Sequence, residues 1–421
     1  MDFTRCFAVV THPTADPNGA ASALPSPRPR SRPAILWSSA AVIVGLAMVL
    51  LIGLDFLQAS MATAFSGAAT WGGDYTDVGA FLLWTIGDTT EPGFAHAALA
   101  GTLMLLGGYA AHCGCVQGRR WAGFPVASGT GLFPWVLSSA SLGLVFSNLA
   151  WGWTIAASGM WQPTFVPFAS VPAAVVLIYG GSTPVLLTGV ALGASLTTPI
   201  ALAVVNFGCR PLGLPNVIGA TTGMWVSALI AFALCRHLPW MPVRLIAVPR
   251  CHSRSPRTFR DTAPHGPRWL ARRILADFTE AQFIGNEWAG AALLLGTVLS
   301  FVLSPALASG AGELLPRLLA AQIMTSALSV TLWHRQWAKY GWYPSFVPVV
   351  SIAPATVLMC GGSLQSIVVG AVLGALVGPP LAAAIARRLP ADFHPFIGNV
   401  VAMTTGTTLV ATVLTMGRCL I

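Results

Sequence analysis

Apolar runs of about 17 to 25 residues recur along this chain, the length an α-helix needs to cross a hydrocarbon core roughly 30 Å thick. In lipid every backbone N–H and C=O must find a partner inside the protein, so only helices and closed barrels are open to such a chain. The runs are too long for barrel strands. Of the 421 residues, 55% are hydrophobic and 8% are charged, with a mean hydropathy of +0.72. Ordinary soluble domains are about a quarter charged, so this chain lacks the residues to clothe a large soluble core. The sequence therefore predicts an all-α polytopic membrane protein.

Eleven transmembrane helices are expected, near 34–57, 95–112, 133–154, 163–179, 183–206, 216–236, 286–306, 314–333, 345–360, 364–386 and 396–417. Residues 1–33, Pro-rich and basic, read as a disordered cytoplasmic tail, and 34–57 as an uncleaved first anchor. The net charge of +9 rests on 22 basic residues, of which Lys339 is the one lysine. They gather at Arg28, Arg30 and Arg32, at Arg119 and Arg120, between Arg236 and Arg273, at Arg335 and Lys339, and at Arg387 and Arg388. All five places fall on one side if the N-terminus is cytoplasmic, which predicts an N-in, C-out protein of the plasma membrane. This charge belongs to topology, so no nucleic-acid partner is expected. Lone Arg317 lies one turn from Glu313, a spacing that pairs charges on a helix. The stretch Val78–Gly87 is apolar but too short to span, and is expected to re-enter or lie in the interface within an outer loop, 58–94. The Arg, Ala, Gly and Pro bias is what a GC-rich bacterial genome would produce.

One phrase is written twice. Trp161–Ser182 and Trp342–Ser363 match without a gap at 12 of 22 positions. Gly189, Gly193 and Pro199 answer Gly370, Gly374 and Pro380. The duplicated unit is read as 95–236 and 286–421, five helices each, separated by an Arg-rich cytoplasmic loop at 237–285. An odd number of spans per unit inverts the second copy relative to the first, an arrangement typical of secondary transporters and some channels. The plan of one helix plus two five-helix inverted repeats resembles several transporter folds, urea channels and sodium-coupled carriers among them, and the likeness is one of architecture.

Within the phrase, Pro163, Pro167 and Pro172, and Pro344, Pro348 and Pro354, each remove an amide donor and disturb a carbonyl one turn earlier. Paired broken segments point to a substrate site between the halves. The expected substrate-binding set is Ser170, Ser351, Pro167, Pro348, Gly180, Gly181, Gly361 and Gly362, with Asn148 and Glu287 as polar groups within or at the start of spans. Thr164/Ser345 and Ser182/Ser363 are weaker pairs. Gly189/Gly193 and Gly370/Gly374 fit close helix packing.

The chain has no Walker A, HExxH or GxSxG motif, so it offers no ATPase, zinc-protease or serine-hydrolase signature. His112 and the cysteines of "HCGC" lack a partner cluster, and no metal, cofactor or catalytic residue is assigned. The expected function is a permease for a small solute, with membrane lipids and a second copy of the chain as further partners. A membrane-embedded enzyme acting on a lipid or hydrophobic metabolite through His96, His112, Glu287 or His394 is the alternative, as is a non-catalytic subunit docked through the Arg-rich loop.

Overall fold

The structure, a computed structural model, describes residues 33–61, 71–241, 266–303 and 312–417. The expected tail up to residue 32, residues 62–70 of the expected outer loop, about half of the Arg-rich loop (242–265) and Arg418 lie outside these residues. Of the described residues 76% are helical and none lies in a strand, as the all-α reading requires. Among the described residues eight helices are long and apolar enough to cross a membrane, consistent with a polytopic membrane protein.

In chain order the helices of eight or more residues among the described residues are α1 (Pro33–Met61), α2 (Val78–Asp88), α3 (Ala98–Val116), α4 (Phe133–Trp151), α5 (Val171–Tyr179), α6 (Thr183–Cys209), α7 (Asn216–Cys235), α8 (Pro267–Asp277), α9 (Glu287–Leu303), α10 (Leu315–Leu332), α11 (Ile352–Met359), α12 (Leu364–Ala386) and α13 (Phe396–Gly417). Four of them are short: α2 and α8 have 11 residues each, α5 has nine and α11 eight. At 1.5 Å per residue, eleven residues reach about 16 Å, half of a hydrocarbon core. Val78–Gly87 is thus a half-length helix. Pro267–Asp277, within the segment read from sequence as a cytoplasmic loop, is a second one with Trp269, Leu270 and Ile274 buried.

Proline shortens α5 and α11. The expected spans 163–179 and 345–360 begin with irregular turns, and regular helix starts at Val171 and Ile352. Pro172 fits the first turn of α5, where an amide has no helical partner anyway. Backbone carbonyls exposed by the break are met by hydroxyls of α4: Ser147 Oγ donates to Thr164 O (2.6 Å) and Ser139 Oγ to Pro172 O (3.0 Å). In α6, residues near Pro199 widen into a π-helical turn, Gly193–Thr197, a common way to absorb a disturbed ladder.

Glycine sets the closest helix approaches. A Cβ on Gly296 of α9 would sit 2.5 Å from Ala100 Cα of α3, and one on Gly107 of α3 3.1 Å from the backbone of Trp288 and Ala289. Gly193 lies against the Pro172 ring and Gly374 against Pro348, so these glycines serve packing as expected. Arg317 pairs with Asp55 of α1 at 3.9 Å rather than with Glu313; the helix-local pair expected from spacing gives way to a neighbouring helix end.

Asn286 joins the two parts of the chain. Its Oδ1 accepts from the backbone N–H of Trp288 (2.8 Å), capping α9, while Nδ2 donates to Phe124 O (2.6 Å) and Ala122 O (3.0 Å). Asn286→Ala removes the cap and strands two buried carbonyls. A loss of about 2–4 kcal/mol is expected, summing a cap and an unmade bond, read as a lower unfolding midpoint in detergent. An unchanged midpoint would sink this account.

Candidate functional site

The half-length helices α2 and α8 both end in aspartate, and both are followed by the same short motif. Asp88-Thr89-Thr90-Glu91-Pro92-Gly93-Phe94 parallels Asp277-Phe278-Thr279-Glu280-Ala281-Gln282-Phe283. The turns fold alike. Thr90 Oγ1 accepts from Ala97 N–H (3.1 Å) and Thr279 Oγ1 from Asn286 N–H (3.3 Å). Phe94 and Phe283 both take left-handed backbone, at φ 63° and 59°, a conformation uncommon for bulky residues. Gly101 and Gly290 then let the next helix touch the carbonyls of Ile86 and Leu275.

Each turn directs two carboxylates toward the Pro-broken phrase. Asp88, 2% exposed, receives Asn148 Nδ2 (2.8 Å) and Thr164 Oγ1 (3.2 Å) on Oδ2, and faces His96 Nε2 at 3.1 Å on Oδ1. Glu91 Oε1 accepts from Trp161 Nε1 at 3.0 Å. In the second copy Asp277, fully buried, receives Ser326 Oγ (2.7 Å) on Oδ2 and Ser345 Oγ (3.1 Å) on Oδ1, and Glu280 Oε1 accepts from Trp342 Nε1 at 3.0 Å. Trp161 and Trp342, and Thr164 and Ser345, are equivalent positions of the repeated phrase.

The charge balance differs. Arg273, 3% exposed, donates to Asp277 Oδ1 through Nη2 (2.7 Å) and Nε (3.0 Å), and to Glu280 Oε2 (2.7 Å). A carboxylate at a helix C-terminus faces the negative end of the dipole, so each aspartate needs these donors. The position of Arg273 is held in the first copy by Trp84, whose ring lies 4.2 Å from that of His96.

The residues selected from sequence fall in several places. Asn148 is fully buried and binds Asp88, so it belongs to the cluster. Ser170 and Ser351 are fully buried, but their hydroxyls donate to carbonyls one turn back, Val166 O (2.7 Å) and Val347 O (2.6 Å). Their neighbours Pro167 and Pro348 pack against Gly143 and Gly193, and against Gly374 and Gly378. Gly180, Gly361 and Gly362 adopt positive φ in the turns that follow, and Gly181 lies against Trp135. Glu287 is an anchor: Oε1 accepts from Arg272 Nε and Oε2 from Phe124 N–H, both at 2.7 Å.

His112 packs against Phe133. His394, in the turn before α13, accepts the Phe396 N–H on Nδ1 at 3.1 Å and lies beside Phe283 and Phe396. Burial holds its ring down at about 4, well below the usual imidazole range. Its proton is thus lost early in the folded state, and its contribution to stability falls as pH drops from about 6.5 toward 4. Unfolding midpoints recorded across that window should show less acid sensitivity in His394→Gln than in the wild type; equal slopes would remove His394 from the account.

Asp88, Glu91, Asp277 and Glu280 escaped the sequence reading, which placed them in loops. The signal was present as the Asp-x-Thr-Glu-x-x-Phe motif, repeated 189 residues apart, just upstream of the bounds assigned to the duplicated unit. No group of three or more metal-binding side chains occurs among the described residues. Compared with protein-family models, with curated proteins and with solved structures, the chain gives no match.

Proposed function

We propose that this chain is a plasma-membrane permease for a small polar solute, with its site between the two carboxylate clusters and the Pro-broken phrases that face them. The observation that carries the reading is the duplication of one polar arrangement inside an apolar protein. An Asp, a Glu three residues on, a Trp N–H and a Thr or Ser hydroxyl recur at equivalent places of both copies. Buried ionisable groups at membrane depth are expensive and mark substrate or ion routes. The extended unit then comprises a half-length helix, two spans, a broken segment and two spans, from 78 to 235 and from 267 to 417. In the proposed topology, N-terminus inside and C-terminus outside, the second copy is inverted and the two clusters approach the middle of the membrane from opposite sides. The exposed leucines, valines and phenylalanines of α1, α6 and α12 suit contact with lipid acyl chains.

Purified protein in liposomes, challenged with osmotic gradients of small amides, polyols, amino acids and monovalent salts, tests this by the rate of vesicle shrinkage. At least one class should enter faster than through protein-free vesicles. Thr164→Val combined with Ser345→Ala should slow it by about tenfold, the equivalent of ~1.4 kcal/mol. If every solute enters at the protein-free rate, the reading fails. The His96–Asp88 pair keeps an enzyme reading in play, since a His beside a carboxylate is an acid–base arrangement. That reading requires the total amount of some metabolite, rather than its location, to change when the gene is deleted.

A further inference from the structure

We infer that His96 is an exchangeable proton site that sets the charge of the first carboxylate cluster, and that solute passage responds to pH through it. The inference rests on the permease reading above and deepens it.

Three observations converge on His96. The first is backbone. His96 sits at φ 35°, and the residue at its position in the second copy is Gly285, at φ 60°. Left-handed backbone favours glycine, and a side chain there is strained. The second copy meets the turn's demand with glycine, whereas the first places an imidazole there at a steric cost. The turn alone therefore does not explain the histidine.

The second observation is charge. Glu280 and Asp277 share one fixed positive charge, Arg273, which cannot lose its proton at any physiological pH. Asp88 and Glu91 have no arginine in that place; Trp84 occupies it. The cation within reach of Asp88 is His96, at 3.1 Å, and imidazole changes charge between pH 5 and 8. A proton from water on His96 gives the first cluster the net charge that Arg273 gives the second. Loss of that proton to water leaves two buried carboxylates with no opposing charge. The charged groups that act on His96 are Asp88 and Glu91. The other side chains around the cluster, Trp84, Asn148, Thr164 and Trp161, carry no charge. Arg210 lies beyond Trp161, whose carbonyl it binds.

The third observation is an open valence. Among the described residues, nothing bonds Glu91 Oε2 or Asn148 Oδ1, both buried. The equivalent oxygen of Glu280 is held by Arg273. The fixed cation thus reaches both carboxylates of the second cluster, whereas in the first the side chain within reach of Asp88 that can carry a positive charge is His96.

The test uses full-length protein in liposomes buffered between pH 5.5 and 8.5. Shrinkage under a gradient of whichever probe solute enters fastest is compared for wild type, His96→Gly and Trp84→Arg/His96→Gly. Glycine is the residue of the second copy, so the variant relieves the backbone rather than straining it. Wild-type permeation should change several-fold across this range; Trp84→Arg/His96→Gly, whose cation is fixed, should be flat, and His96→Gly should lose the wild-type curve. A flat wild-type profile, or an unchanged curve in His96→Gly, overturns the inference. If no solute enters at any pH, the permease reading fails, and the proton site is judged by melting temperature in detergent. A gap between wild type and His96→Gly that varies over pH 5.5–8.5 supports the site, and a constant gap overturns it.

Discussion

Arg273→Leu should be among the most damaging single substitutions in the described residues. The leucine keeps the apolar bulk over Phe124 and Trp337, whose rings lie 5.5 and 4.8 Å from the guanidinium carbon. It removes the only cation that bonds Asp277 and Glu280 among the described residues. Breaking a buried ion pair from one side strands the other charge and costs about 3–5 kcal/mol. The loss should appear as a lower midpoint in detergent or denaturant unfolding. Arg273→Leu/Asp277→Asn should recover part of it, because an amide in place of the carboxylate no longer demands a counter-charge. If the single variant unfolds within ~1 kcal/mol of wild type, which is the scale of an exposed pair, the network does not have the structural weight assigned to it.

Gly290→Ala is the second large effect. Its Cβ would lie 1.8 Å from Leu275 O, a backbone atom that cannot swing aside. Helix α9 would have to move off α8, carrying with it the Asn286 and Glu287 contacts to residues 122–124. Overpacking in a dense interior costs about 1–3 kcal/mol, and the added loss of these hydrogen bonds puts the expectation at the top of that range or above. Gly101→Ala should behave alike but less severely, since its Cβ would lie 2.4 Å from Ile86 O. Gly159→Ala meets nothing within 4 Å, so its deficit should reflect only the positive φ. If Gly290→Ala and Gly159→Ala lose equal stability, close approach is not what fixes residue 290.

The long helices were legible because hydropathy over some twenty residues is a strong physical signal. Of the half-length helices, α2 stands out in the sequence as an apolar stretch too short to span, whereas α8 does not, because eleven residues are ambiguous between a loop and a buried element. In α8 the ambiguity was worse: Arg268, Arg272 and Arg273 resemble a cytoplasmic positive patch, yet Arg273 turns inward to its carboxylates. The repeated phrase was found by identity alone, and it contains half of each cluster, Trp161 with Thr164 and Trp342 with Ser345. The acidic half is harder to read as a site, because Asp88 and Glu91 follow a short apolar run and look like the charges of an outer loop. Ser170 and Ser351 attracted attention as hydroxyls beside prolines, but the prolines explain their use: a kinked turn frees a carbonyl, and the nearest hydroxyl takes it.

The seam between α3 and α9 has a mechanical consequence. Where Gly296 rests on Ala100 and Gly107 on the backbone of Trp288 and Ala289, main chain meets main chain with no layer of side chains between. Interleaved side chains can exchange rotamers and let two surfaces glide; a backbone-to-backbone contact has no such lubricant. Relative motion of α3 and α9 should therefore turn about this line, like a door on its pin, rather than slide along it.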